Sequence, residues 1–536
     1  QSDVSFTTKN TWEATETDGE TIPFQGSKVI AGSEAGGRNS YVVFDTDVTL
    51  HTFTVDTATD GDGSNVSEIG SGNTLTITDA LTLKSETFAD GGGTLEMEDG
   101  TTVERSGGTI GFSPTFLGSA SAVYTAGLTT GDELPTSVSS LRIDASGNTV
   151  TLAENVTVNT ALELDAGTLG RSGSEAVTLA DGSTLRVGTG TMDFTPTVAG
   201  GTAATTTYTT GGVTTGPELP AGAAGDVTLR VDAGGIVTLQ ANTTPTFNGD
   251  LTIQNGTLDD NGNTVTINGD ATVAGGAAHT STGGGQLSFS GGSSTHALAG
   301  SGTYGTVELN ESDDFNNAPE ATISGGATIT DLTATTGVLE VQAGGATVTS
   351  ATIDSEAQLK GPLDIGNGAT VNGTLVLQSG GSVTGTGPAY ADGALLRYAA
   401  GTAIDRGAEW SSTGGAGYPE DVELTNSTTL DLSAGGAGTA RSIAGALTIG
   451  GSSTLNMDNM SAALTVPGAL TVDGTLALGS ATGGNAEAQG SAVQIGGTVT
   501  TNSGRLVLNG SSAQTLSGDG TAVSLGAVQI DNANGV

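Results

Sequence analysis

The chain has no cysteine, only four lysines (Lys9, Lys28, Lys84 and Lys360) and two tryptophans among 536 residues. Without cysteine there is no disulfide framework, no thiolate metal site and no thiol nucleophile. The cysteine count alone does not set the compartment, because a continuous strand ladder needs no disulfides. Apolar runs stop short of the ~20 residues that a membrane-spanning helix needs. Long amphipathic helices require Leu, Lys, Glu, Gln and Arg at helical spacing, and no segment supplies them. Histidine is also scarce: His51, His279 and His296 are the three, and none sits in a His-Glu-x-x-His arrangement. His279 and His296 lie in Gly/Ser/Ala-rich stretches and are expected to be exposed turn residues. No Ser-His-Asp grouping is visible, and no Gly-rich run leads into Lys-Ser/Thr. The expectation is a protein that is not an enzyme.

Glycine is abundant, 88 of 536 residues, about 16% against a norm of roughly 7%. Thr, Ser, Ala and Val fill most of the rest. Thr and Val favour strands, and glycine at this density marks frequent turns. Apolar-polar alternation separates the chain from a disordered one: Thr74-Leu75-Thr76-Ile77-Thr78, Thr264-Val265-Thr266-Ile267-Asn268 and Thr475-Leu476-Ala477-Leu478 each put apolar side chains on one face. The formal charge is −43, from 57 acids and 14 bases. Such a polyanion repels nucleic acid and anionic lipid. Its acids give a solvated surface that resists strand-edge aggregation. They also suit a high-salt habitat that screens self-repulsion, or divalent-cation binding along the surface.

A short strand ending in a polar residue recurs: Leu141-Arg142-Ile143-Asp144, Leu229-Arg230-Val231-Asp232, Val307-Glu308-Leu309-Asn310, Val422-Glu423-Leu424-Thr425 and Val528-Gln529-Ile530-Asp531. The starts are 88, 78, 115 and 106 residues apart, a loose period. Two units align more fully. Gly108, Phe112, Tyr124, Gly131-x-Glu133, Leu141, Val150 and Gly167 match Gly190, Phe194, Tyr208, Gly216-x-Glu218, Leu229, Val237 and Gly256. Seven anchors in one order at offsets of 82 to 89 are a duplication. Later units keep less: Gly417-Tyr418-Pro419-Glu420 takes the place of the turn before Val422. Repetition of this kind predicts a stacked array rather than one central core.

The predicted fold is all-β: a right-handed β-solenoid repeat array over 66–536, with a small N-terminal β cap at 1–65 that holds Trp12, Phe6, Phe24, Tyr41, Phe44 and Phe53. Tyr41–Phe44 and Thr52–Val55 read as two strands of that cap. Coils of about 20 residues stacked at about 4.8 Å would number about two dozen, a rod of roughly 110 Å. The alternative is a string of tandem β-sandwiches, which the Asn-Gly turns at 255–256, 261–262, 268–269, 372–373 and 509–510 would serve as hairpins. Scarce aromatics and irregular anchor spacing favour the solenoid.

The pattern apolar-x-apolar-Asp/Asn, then Val-Thr-Leu, then Leu-x-Leu-x-x-Gly-Thr-Leu runs from Ile143-Asp144 to Leu169 and from Val231-Asp232 to Leu258, and restarts at Ile530. It resembles the β-strand-repeat surface proteins of Bacteroidetes and related bacteria, over most of 66–536 but through motifs of low complexity. That resemblance implies a large secreted, extracellular or cell-surface protein of the adhesin or fibre type, often with a C-terminal sorting domain. A lysine-poor acidic member would suit a halophilic bacterium.

Among the acids, Asp60, Asp62 and Ser64, with Glu68, alternate oxygen ligands as a calcium loop does, without the spacing of a full EF-hand. Asp259-Asp260-Asn261-Gly262-Asn263 is a weaker version. Calcium is the one cofactor these loops suggest. Asp144 and Asp232 are the carboxylates a glycosidase reading would choose. Their equivalent places in two copies argue for a turn or cap role, since catalytic groups are usually unique. The start at Gln1 suits a processed mature chain, and the end within a repeat predicts that the natural protein continues. The functional expectation is an extracellular structural protein, a fibre subunit or adhesin stalk that self-associates. The alternatives are a carbohydrate-binding or carbohydrate-cleaving surface protein and a phage tail fibre.

Overall fold

The computed structural model describes residues 28–31, 41–44, 47–55, 66–85, 87–200, 204–220, 227–290, 295–310, 320–518 and 524–536. The chain is all-β, with 55% strand and 1% helix, wound into a β-solenoid of about 21 turns in all. Ladders among the described residues are parallel, apart from one isolated antiparallel bridge between Gly70 and Gly92. Hairpin-built sandwiches are thereby excluded. The Asn-Gly signal is real, but it marks corners. Asn261 and Gly262 both take positive φ (53° and 81°), and Gly256 bends the strand Leu251–Asp259 at φ 87° without reversing it. A left-handed residue turns the chain through a corner, and the next strand then pairs with the coil below rather than with its own neighbour.

Two compact units share the chain: Gln1–Gln240 with Phe247–Gly249, and Ala241–Thr246 with Asp250–Val536. In the first, a single column of partners runs Val123, Arg142, Glu163, Arg186, Thr207 and Arg230, so successive coils are 19 to 23 residues long. One residue earlier, the inward column runs Ala122, Leu141, Leu162, Leu185, Thr206 and Leu229, all buried. Period-2 alternation puts polar residues outside and leucines inside, and each buried leucine contributes about 1.5–3 kcal/mol. The early coils use aromatics: Phe44, Phe53, Phe88 and Phe112 form an edge-on stack with centroids 5.3–5.5 Å apart. Tyr41–Phe44 and Val48–Val55 are strands, as expected; they ladder in parallel with Val66–Gly70 and Thr74–Leu83. Trp12, Phe6 and Phe24 lie outside the described residues.

In the second unit the coil has three sides. Leu447–Ile449, Thr454–Asn456 and Leu464–Val466 lie beneath Leu470–Val472, Thr475–Ala477 and Ala486–Ala488 respectively. An outward column of Thr429, Thr454, Thr475 and Thr498 follows one side.

Corner acids and amides hold coil to coil in both units. Within the first, an Oδ1 accepts the backbone N–H of the next coil from Asp47 to Thr74 (2.8 Å), from Asp99 to Ser119 (2.7 Å) and from Asn155 to Ala176 (2.9 Å). Within the second, the same bond joins Asp250 to Asp270, Asp270 to Ala297, Asp421 to Ala446 and Asn485 to Arg505. A corner amide that sheet pairing leaves over thus finds an acceptor. Part of the acid excess is therefore structural.

Candidate functional site

Asp60, Asp62 and Ser64 lie outside the described residues, and Glu68 is half-buried on the strand Val66–Gly70 beside Val43 and Ala89. Among the described residues no group of three His, Cys, Asp or Glu side chains is arranged to hold a metal. In the second loop the carboxylates are taken up by protein donors. Asp259 Oδ1 accepts from Asn261 N (3.0 Å) and Thr282 Oγ1 (2.8 Å), and Asp260 Oδ1 from Gly262 N (3.1 Å) and Thr282 N (3.3 Å).

His279 and His296 are not exposed turn residues; both are fully buried. Each occupies an inward strand position, which its Ala-rich neighbours disguise. His279 Nδ1 accepts Gly305 N–H at 3.2 Å, which leaves the proton on Nε2, 3.2 Å from the buried Asp260 Oδ2. His296 Nδ1 lies 2.8 Å from Gly269 O, with its ring tilted against Phe289. His51 is the exposed one, 3.3 Å from Asp79.

Asp144 and Asp232 are partners of the arginine two residues earlier, Arg142 (3.1 Å) and Arg230 (3.3 Å). Asp165 joins two coils of that face, bonding Arg142 Nε at 2.7 Å and Arg186 Nη1 at 3.1 Å. The Asp165 bond is the largest cause that lifts the Arg142 pKa. All these arginines are more than two-fifths exposed, so each pair adds at most about 1 kcal/mol. The ladder places three of the ten arginines on one otherwise acidic face.

The most organised chemistry is interior, and it is built from the anchors of the duplication. Gly131-Asp132-Glu133 and Gly216-Pro217-Glu218 each fold a tight turn, closed by Leu134 N to Gly131 O (3.0 Å) and Leu219 N to Gly216 O (3.2 Å). Glutamate Oε1 accepts the glycine N–H (3.0 and 2.7 Å) and a tyrosine hydroxyl, Tyr124 or Tyr208, both at 3.1 Å. Oε2 rests over the glycine itself. A Cβ on Gly131 or Gly216 would lie 2.9 or 2.6 Å from it. The residue before the glycine, Thr130 or Thr215, accepts a backbone N–H from the next coil at 3.0 Å, from Ala153 or Gln240. Burial, then the glutamate charge, holds both phenols well above their usual 10.

A third copy was not visible in the sequence. Gly407-Ala408-Glu409 repeats the turn, with Glu409 Oε1 accepting Gly407 N (2.6 Å) and Tyr398 OH (2.9 Å). Burial raises the Glu409 carboxyl above its usual 4.5, against the pull of its hydrogen bonds. Arg406 replaces the threonine and feeds the carbonyls of Leu432 (3.2 Å), Gly407 (3.1 Å), Trp410 (3.2 Å) and Ala434. The sequence anchor Tyr418-Pro419-Glu420 sits elsewhere: Tyr418 OH donates to Ile443 O. The missed signal was a tyrosine 9 to 11 residues before the glutamate of Gly-x-Glu, at 124/133, 208/218 and 398/409.

With these glutamates at most 1% exposed, their chemistry is internal: they brace a turn against the coil. Among the described residues no helix is long and apolar enough to cross a membrane. Compared with known proteins, the chain matches no family model, no curated protein and no solved structure.

Proposed function

We propose that this is an extracellular structural protein, a fibre subunit or adhesin stalk of a bacterial surface, whose work is mechanical. One observation carries the reading: the conserved chemistry within the chain is spent on joining coil to coil. Leucine columns, corner Asx bonds and Tyr–Glu turns recur, and the three Tyr–Glu clusters are sealed inside. Repetition of bracing is what a load-bearing array needs; a reaction needs a unique, reachable group. The strongly acidic, lysine-poor surface fits secretion into high salt, and the strand-repeat resemblance fits a cell-surface location. Self-association would use an exposed strand at one end of the array, with backbone bonds between subunits. Negative-stain imaging of the purified full chain in low and high salt tests this: fibres or end-to-end oligomers support it, and monodisperse globules in both overturn it. Sugar release from polysaccharides would replace it with the carbohydrate-enzyme reading.

A further inference from the structure

One group of side chains in the first unit stands apart from the bracing: among the described residues it occurs once, and it faces solvent. The strands Val48–Val55 and Thr74–Leu83 pair in parallel, but their register shifts between Leu50 and Thr52. Leu50 pairs with Ile77 and Thr52 with Ala80, so His51 stands opposite both Thr78 and Asp79. A bulge of this kind re-aims the side chains around it. Here it sets an imidazole between a hydroxyl and a carboxylate. His51 Nδ1 lies 3.3 Å from Thr78 Oγ1, and His51 Nε2 lies 3.3 Å from Asp79 Oδ2. His51 and Asp79 are more than half exposed, and Thr78 is half-buried.

The order of the three groups is the one that activates a hydroxyl. A carboxylate only accepts, so Asp79 takes the Nε2 proton and fixes the tautomer. Nδ1 is then left as a base toward the Thr78 hydroxyl. The other acceptor near that hydroxyl, Leu50 O, is farther away at 3.5 Å. The two remaining histidines lack this arrangement: His279 and His296 are buried, and each turns its Nδ1 to a backbone group. Sequence reading could not find the group, because His51 and Thr78 are 27 residues apart and meet only across one coil.

We propose that Thr78 is an acyl-acceptor site, with His51 as its general base and Asp79 as the residue that positions the imidazole. The donor is an activated ester arriving from solvent. Thr78 Oγ1 attacks the ester carbonyl carbon while its proton passes to His51 Nδ1. The bond to the leaving oxygen then breaks, and that oxygen takes the proton from Nδ1 and departs as the alcohol. Thr78 keeps the acyl group as a new ester. General-base help of this kind gives about 10²–10⁴-fold over an unassisted hydroxyl. In a chain of net charge −43, neutral or cationic donors are favoured over anionic ones. The site does not depend on the fibre reading: a structural chain would carry one modifiable hydroxyl near its start.

The test treats the full chain with para-nitrophenyl acetate and locates the acetyl group by peptide mass. An exposed histidine cleaves this ester unaided, so the readout is the label on Thr78 and not the released nitrophenol. Acetyl should accumulate on Thr78. His51→Gln should slow that labelling by about 10²-fold or more. Asp79→Asn should slow it with the denaturant midpoint nearly unchanged, and Asp79→Glu should restore it. No acetyl on Thr78 in the wild type, or equal labelling of Thr78 in His51→Gln, overturns the site. An unslowed Asp79→Asn removes the positioning role. Should a variant fail to fold, the position of the wild-type label alone decides.

Discussion

The Gly-x-Glu turns of the two aligned copies, both in the first unit, share a fold and differ in the buried charge beside the glutamate. In the first copy, Glu133 has a buried partner: Arg105, 4% exposed, bonds its Oε1 and also donates to Gly108 O and to Thr129 O at 2.9 Å. In the second copy, Val187 occupies the equivalent place below the tyrosine, pairing with Tyr208 as Arg105 pairs with Tyr124. Among the described residues, Glu218 keeps its tyrosine and its glycine N–H. The inward column differs too. Ala122 of the first copy becomes Thr206, fully buried, with an Oγ1 that meets no partner. The turn survives either way. Its geometry is therefore set by the shared parts, Gly-x-Glu and Tyr, and the arginine is an addition in the first copy.

Breaking that addition should give the largest effect. Arg105→Met strands a buried carboxylate and should cost about 3–5 kcal/mol, read as a fall in the denaturant midpoint. Val187→Met in the other copy only overpacks a buried site and should cost about 1–3 kcal/mol. Equal losses would show that the ion pair is not what separates the copies. Next comes the shared glycine. Gly216→Ala drives a methyl into Glu218 Oε2 and should cost about 1–3 kcal/mol, while Gly200→Ala, with open space around it, should be near neutral. If both are neutral, the carboxylate does not need the bare glycine.

A smaller change has the opposite sign. Thr206→Val removes an orphan hydroxyl at constant shape and should stabilise by about 1 kcal/mol, whereas Ala122→Thr should destabilise the first copy. A loss in Thr206→Val would mean that the hydroxyl has an acceptor. The last prediction is a slope. Glu409 has a folded pKa above 4.5, so the fold favours its protonated form. That contribution is fully present below about pH 4.5 and is lost as pH rises through the raised value. Wild type minus Glu409→Gln, measured as stability against pH, should therefore decline with rising pH; a flat or rising difference would refute the burial argument.

Much of this architecture was legible from alternation. Arg142, Glu163, Arg186 and Arg230 could be read as outward positions and Leu141, Leu162, Leu185 and Leu229 as inward ones, because period 2 survives in those coils, whereas Thr205-Thr206-Thr207 carries no such pattern. The duplication exposed Tyr124, Gly131 and Glu133 as anchors, though not that they meet, since a contact across nine residues and a corner leaves no local pattern. Glu409 stayed hidden because Trp410 follows it where Leu-Pro follows Glu133 and Glu218, and because Tyr418-Pro419-Glu420 imitates the older turn. His279 and His296 were misplaced for a related reason: alanine and serine neighbours look like surface, yet small residues also let a ring be packed inside. Asn-Gly suits a hairpin, as the sandwich alternative requires, and a corner equally, and only the pairing of whole coils distinguishes the two.

The Asx bonds between corners have a consequence for how such a chain can change length. An Oδ1 at one corner must find the amide of its counterpart one full circuit later, as Asp99 finds Ser119 and Asp421 finds Ala446. Losing a corner acceptor or its donor would break the bond of that circuit alone, whereas removing a complete circuit would let the flanking corners join again. Shortened or extended versions could therefore be engineered by taking out or adding whole windings.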